Sequence, residues 1–215
     1  MVSSFFSLLF QPTCPLCQRR AAALLCENCQ AQLYSYRLAQ PAQAWSAACP
    51  RFIWGQYEGK LKQAIAALKY DRQPALAEWL GFELAEAWLQ AFPQRPGPKP
   101  VVIPIPLHPQ KLKERGFNQA ELLARAFCRL TRYPLLAQGL LRVKNTAPLF
   151  DLNPQARRAM VAQSLQPGPK LEAVTQPVLL IDDIYTTGAT VQEACRALSQ
   201  ASKTFLGLVA MASPP

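Results

Sequence analysis

The chain has 215 residues, 50% of them hydrophobic, and carries 23 Lys and Arg against 13 Asp and Glu for a formal charge of +10. That length fits one full α/β domain with a small appendage, and the apolar content excludes a chain that stays unfolded for want of a core. No apolar run approaches the roughly 20 residues needed to span a bilayer, and the basic balance favours phosphorylated ligands or nucleic acid.

The first apolar stretch, Val2 to Phe10, has no basic region before it and no small-residue cleavage site, and Cys14 follows closely. It reads as a segment that packs on the next module instead of a signal peptide, which predicts a cytoplasmic protein. Four of the seven cysteines then fall as Cys14-x-x-Cys17 and Cys26-x-x-Cys29. Each pair can present two thiolates from a tight turn, and two such pairs complete a tetrahedral four-sulfur site. Two disulfides are the competing reading, but a reducing compartment disfavours them. A redox motif is another, although it belongs in a βαβ context that is missing here. The expectation is a structural Zn²⁺ site within a zinc-ribbon-like module over residues 1–50. Cys49, Cys128 and Cys195 read as small buried apolar residues.

From Glu58 to Tyr70, Leu61, Ile65 and Leu68 fall at helical spacing, and Lys60, Lys62 and Lys69 are expected around the other faces. Pro74 suits the first turn of a second helix, whose Leu76, Leu80, Leu84 and Trp88 form a core stripe. Four prolines and a glycine between Phe92 and Pro100 make a stiff connection. Val101-Val102-Ile103-Pro104-Ile105-Pro106 follows as a strand whose prolines confine it to an edge or end it near Pro104. Lys111, Lys113 and Arg115 are then expected in a loop, where Arg115 can grip phosphate oxygens in bidentate fashion and Gly116 permits close backbone approach. His108, the only histidine, has no role that spacing assigns. A helix carrying Leu122, Leu123, Ala126, Phe127 and Leu130 comes next.

The most telling segment is Val178-Leu179-Leu180-Ile181-Asp182-Asp183-Ile184-Tyr185-Thr186-Thr187-Gly188-Ala189-Thr190. A continuous apolar run reads as a strand buried on both faces of a parallel sheet. Two adjacent carboxylates stand where it ends, then a Thr/Gly turn leads into a helix from Val191 to Leu198. Ligands of open α/β sheets bind at the carboxyl ends of strands, and helix N-termini attract phosphate. Carboxylates accept hydrogen bonds from sugar hydroxyls, while threonine hydroxyls and loop amides donate to phosphate. The segment therefore predicts a sugar-phosphate site, against the plainer alternative of a capped helix after a buried strand.

This segment closely resembles the phosphoribosyl-pyrophosphate (PRPP) signature of type I phosphoribosyltransferases. The four-cysteine module, Leu68-Lys69-Tyr70, Ile103-Pro104-Ile105-Pro106-Leu107-His108, Arg115-Gly116-Phe117-Asn118-Gln119-Ala120 and the signature, in this order, resemble the ComF family over nearly the whole chain. The resemblance implies an α/β fold of the type I phosphoribosyltransferase kind over residues 51–215, a parallel sheet flanked by helices. It implies that Asp182 and Asp183 bind the ribose hydroxyls and that Thr186, Thr187, Gly188, Ala189 and Thr190 bind the 5′-phosphate. Lys111, Lys113, Arg115, Gly116 and Asn118 would lie on the pyrophosphate side, with Arg142 and Lys144 also available for phosphate. The implied reaction transfers phosphoribosyl from PRPP to a nucleobase or amine, with Mg²⁺ on the pyrophosphate and Asp182, Asp183 and Arg115 as the catalytic set. Implied partners include nucleic acid and the proteins of DNA uptake. One region departs from the family pattern: Thr146 and Arg157 fit a Thr-x-x-Gln, Arg, Asn element, but Leu149 stands in place of Gln and Met160 in place of Asn.

Overall fold

A computed structural model describes residues 13–71, 73–93, 97–145 and 162–215. The departing element around Leu149 and Met160, with Thr146 and Arg157, lies outside the described residues, as does Val2 to Phe10. In chain order come α1 (Glu27–Tyr34), β1 (Arg51–Gln56), α2 (Gly59–Tyr70), α3 (Pro74–Ala91) and β2 (Val101–Pro104). They are followed by α4 (Pro109–Arg115), α5 (Gln119–Thr131), β3 (Leu140–Arg142) and β4 (Leu165–Pro167), then β5 (Val178–Ile184), α6 (Ala189–Gln200) and β6 (Phe205–Ser213).

One sheet runs in the order β1-β6-β5-β2 with every neighbouring pair parallel, and β3 pairs antiparallel with β4 beside it. The expected parallel sheet flanked by helices is thus present. Side chains alternate between the two faces of a strand. On one face Phe52, Trp54, Val102, Leu179, Ile181, Val209 and Met211 pack with α2, α3 and α5. On the other, Ile53, Val101, Ile103, Val178, Leu180, Leu208 and Ala210 pack with α6, Leu140 and Leu165. Both faces are covered, which is why these strands read as unbroken apolar runs. The proline-containing β2 lies at the edge of the sheet, where a missing N–H costs nothing.

The cysteine segment shares the first of these cores. Leu16, Leu25 and Leu33 are buried in the same cluster as Leu61 and Leu84. Gln63 Nε2 donates to the Leu16 carbonyl at 2.9 Å, and Tyr34 donates to Glu83 at 2.7 Å. β1 begins at Arg51, just after the boundary expected near residue 50. No helix among the described residues is long and apolar enough to cross a membrane.

Helices α3 and α5 cross at Gly81, where a Cβ would stand 2.6 Å from Ala126 Cβ and 2.7 Å from the Leu123 carbonyl oxygen. Alanine normally gains about 1 kcal/mol over glycine inside a helix, but overpacking costs about 1–3 kcal/mol. The neighbour here includes rigid backbone, so the second effect wins. Gly81→Ala is expected to lower stability by about 1–2 kcal/mol in urea unfolding, and a stabilised variant would contradict this packing.

Candidate sugar-phosphate site and metal centre

Because all four sheet strands are parallel, their carboxyl ends share one edge, where clefts in such sheets lie. β5 and β2 end together: Pro104 is in register with Ile181, and the Ile105 N–H donates to the Ile181 carbonyl at 2.8 Å. The chain after β2 and the Asp182-Asp183 pair therefore emerge side by side.

The strand alternation separates the two carboxylates. Asp183 follows the parity of Ile181 toward α2, and Asp182 that of Leu180 toward α6 and the β3–β4 pair. Lys69, in the last turn of α2, makes an ion pair with Asp183 Oδ2 that leaves both side chains only 16% and 13% exposed. The Asp183 N–H donates to Asp182 Oδ1 at 2.8 Å. Burial, and then the neighbouring Asp183 charge, push the Asp182 carboxyl well above the usual carboxylate range, against the pull of that N–H and of Lys69. Burial opposes the Lys69 charge as well, but the Asp183 carboxylate outweighs it and raises the ammonium above its ordinary value.

The basic residues after β2 stand on a helix, contrary to the loop expected for them. His108 supplies the missing signal: its ring Nδ1 accepts the Gln110 N–H as the N-cap of α4. Pro109 suits the first helical position, and Gly116 ends the helix in the left-handed conformation, φ 86°, with its N–H on the Leu112 carbonyl. Arg115 is held twice, donating to Gln119 Oε1 at 2.7 Å and lying over the Tyr70 ring at 5.6 Å. Asn118 is buried, its carbonyl oxygen capping α5 at the Ala120 N–H and its amide donating to Ile105. Lys111 is lowered by burial and then by the Arg142 and Arg115 charges, so the three form one basic group. Arg142 Nε donates to the Pro106 carbonyl at 2.9 Å. Burial lowers Arg142, against the pull of the Asp182 and Glu193 charges. Lys113 and Lys144 are exposed, and Lys144 donates to the Ala162 carbonyl at 2.8 Å.

Beyond the acid pair, Thr186 is exposed and Thr187 half-buried. Gly188 takes φ 76° and N-caps α6 without a side-chain cap, and Ala189 and Thr190 begin the helix. The first-turn N–H groups of α6 thus lie where the Thr/Gly turn brings the chain.

Lys69 corrects the expectation of a solvated face. It repeats the i, i+4 spacing from Leu61 and Ile65, so it continues the buried ridge of α2. That register was the available signal. Tyr70 and Gln119, which hold Arg115, were also not foreseen as parts of the site.

In the amino-terminal segment, the sulfur atoms of Cys14, Cys17, Cys26 and Cys29 all lie within 4.8 Å of one another, with Cys17 and Cys26 at 3.5 Å. A tetrahedral site with metal–sulfur bonds of about 2.3 Å places its sulfurs about 3.8 Å apart, so the cluster is the right size to hold a metal ion. All four are free cysteines. Burial raises Cys14, but the Cys26 and Leu16 amides and the adjacent thiols bring it down to about 7, while burial and the same thiols push Cys29 up to about 12.

No family model matches the sequence. The competence protein ComFC of Bacillus subtilis (strain 168) is 25% identical over 195 residues, covering 88% of this chain and 72% of the relative. The DNA utilization protein YhgH of Escherichia coli (strain K12) is 26% identical over 202 residues, covering 86% and 83%. Competence protein F of Haemophilus influenzae is 34% identical over 98 residues, 45% of this chain and 43% of its own. The resemblance to the ComF family holds across most of the chain. Among solved structures, adenine phosphoribosyl transferase from Trypanosoma brucei, in complex with AMP, pyrophosphate and ribose-5-phosphate, overlaps 86% of this chain and 79% of its own at 10% identity and TM-score 0.42. Glutamine PRPP amidotransferase from B. subtilis overlaps 62% of this chain and 25% of its own at 18% identity and TM-score 0.37.

Cys29 is one of the four clustered thiols that could hold a metal, and it is buried, so a serine there removes a candidate ligand and places a hydroxyl in an apolar core. Cys29→Ser is expected to purify without stoichiometric metal by plasma mass spectrometry and to melt at a lower temperature than the parent. Full metal content in the variant would exclude the four-cysteine cluster as the binding site.

Proposed function

We propose that the protein binds PRPP at the carboxyl edge of the sheet and transfers its phosphoribosyl group to a nitrogen acceptor, a nucleobase or an amine, releasing pyrophosphate. One observation carries the reading: the acid pair in the last residues of β5 is followed by the Thr/Gly turn and the N-terminus of α6, while Lys111 and Arg115 stand on the helix that follows the neighbouring strand β2.

In this reading Asp182 and Asp183 accept hydrogen bonds from the ribose 2′ and 3′ hydroxyls. Thr186, Thr187 and Thr190, with the amides of Gly188 and Ala189, hold the 5′-phosphate. Arg115 and Lys111 receive the pyrophosphate, with Arg142 beside them and Lys113, Lys144, Gly116 and the Asn118-capped turn around it. The C1–O bond to pyrophosphate breaks, its electron pair leaves with the pyrophosphate, and the acceptor nitrogen lone pair forms the new bond to C1 while the nitrogen loses a proton. Positioning and electrostatic stabilisation of the leaving group supply the rate. The hard carboxylate oxygens of Asp182 and Asp183 fit Mg²⁺, which when bound with PRPP offsets the charge on the departing pyrophosphate.

The four-cysteine cluster takes Zn²⁺ in this reading. Four thiolates leave no open position, so its role is to brace the amino-terminal segment.

The relatives' names favour a second reading, in which the protein is a PRPP-responsive adapter in DNA uptake that binds nucleic acid or competence partners without turnover. Pyrophosphate release from PRPP across a panel of nucleobases and amines supports the enzyme. Steeply salt-dependent DNA binding without release supports the adapter. For the site itself, Asp183→Asn is expected to abolish PRPP binding in calorimetry with an unchanged far-UV circular dichroism spectrum, and unchanged affinity would sink the assignment.

A further inference from the structure

The last turn of α2 touches both halves of the candidate site. Lys69 reaches Asp183 Oδ2, and the next residue, Tyr70, supports the Arg115 guanidinium with its ring. Tyr70 is 64% exposed, whereas the Lys69 side chain is 16% exposed. A lysine that only lent solubility would be turned to water. Lys69 instead lies in register with Leu61 and Ile65, both fully buried.

We infer that Lys69 is a positioning residue of the sugar-phosphate site, fixing Asp183 and cancelling one of the two negative charges that the acid pair sets against an anionic ligand. The inference rests on the reading that Asp182 and Asp183 hold a ribose phosphate. Two adjacent carboxylates suit a sugar diol but repel a ligand that carries several phosphate charges, and the repulsion is strong where water is largely excluded. A fixed ammonium beside the pair removes that conflict without covering both oxygens. Lys69 engages Oδ2, so Asp183 Oδ1 is the acceptor that remains for a ribose hydroxyl. Asp182 accepts the Asp183 N–H at Oδ1, and Lys69 is the cation that opposes the rise of its carboxyl. The half-buried Tyr57 also senses both Lys69 and Asp183, and its phenol is raised chiefly by burial, so it contributes no charge of its own at neutral pH.

Titration calorimetry with PRPP and Mg²⁺ on the full chain tests this. Lys69→Met keeps the length of the side chain and removes its charge, and should weaken PRPP binding about tenfold or more, while Lys69→Arg keeps the charge and should stay within about threefold of the parent. Rescue by Lys69→Arg separates a role of the charge from a merely structural one, and Lys69→Gln provides a second uncharged variant if the methionine form folds poorly. Wild-type affinity in the uncharged variants, or an equal loss in Lys69→Arg, overturns the inference while leaving the PRPP reading intact. Absence of PRPP binding by the parent overturns both.

Discussion

A strand buried on both faces can bear carboxylates only where it leaves the sheet, and β5 places two of them there in succession. Successive side chains leave a strand in opposite directions, so the two carboxylates meet different surroundings. Lys69 of α2 pairs with Asp183 and also opposes the rise of the Asp182 carboxyl, while the Asp183 N–H holds Asp182 Oδ1. The Leu61–Ile65 ridge delivers this ammonium to the sheet edge, and Arg142, at the end of β3, donates to the Pro106 carbonyl just beyond β2.

The second support is indirect but equally specific. Glu193 of α6 is buried, accepts the Leu165 N–H at 3.1 Å and receives Arg196, which in turn donates to the Leu165 carbonyl at 2.7 Å. The Arg196 bond and the Leu165 and Gln163 amides outweigh burial and hold the Glu193 carboxyl below its ordinary range. This clasp fastens β4 to α6, and β4 fixes β3 through the register of Arg142 with Leu165. The strand that carries Arg142 is therefore tied to the same helix whose N-terminus follows the Thr/Gly turn.

The sequence made β5, the acid pair, the turn and the helix beyond it legible because they are local: period, charge and glycine content all lie in the one stretch from Val178 to Leu198. The cysteine cluster was legible for a similar reason, since paired spacing alone defines two chelating turns. What escaped was long-range or rested on a single cap. The helix at Pro109–Arg115 depends on His108 acting as an acceptor, a use of histidine that composition does not reveal. The pairing of Lys69 with Asp183 spans most of the chain, and a lysine beside an apolar stripe reads as solvated unless its register with Leu61 and Ile65 is followed to the end of the helix. Gln119 and Asn118 sit within the string Arg-Gly-Phe-Asn-Gln-Ala, yet their work is to hold Arg115 and to cap α5, roles visible only once the backbone is placed.

The same geometry explains why the amino-terminal segment is not merely appended. Its Leu16, Leu25 and Leu33 enter the core that also buries Leu61 and Ile65, the residues that carry Lys69 to the sheet edge. Gln63, on the intervening turn of α2, donates directly to the Leu16 carbonyl between the first two cysteines. The cysteine segment therefore forms one wall against which α2 is packed. Through Leu16 and Gln63 it is joined to the same helix whose last turn carries Lys69 to Asp183, so the packing of the amino-terminal segment and the placement of that ammonium share one element.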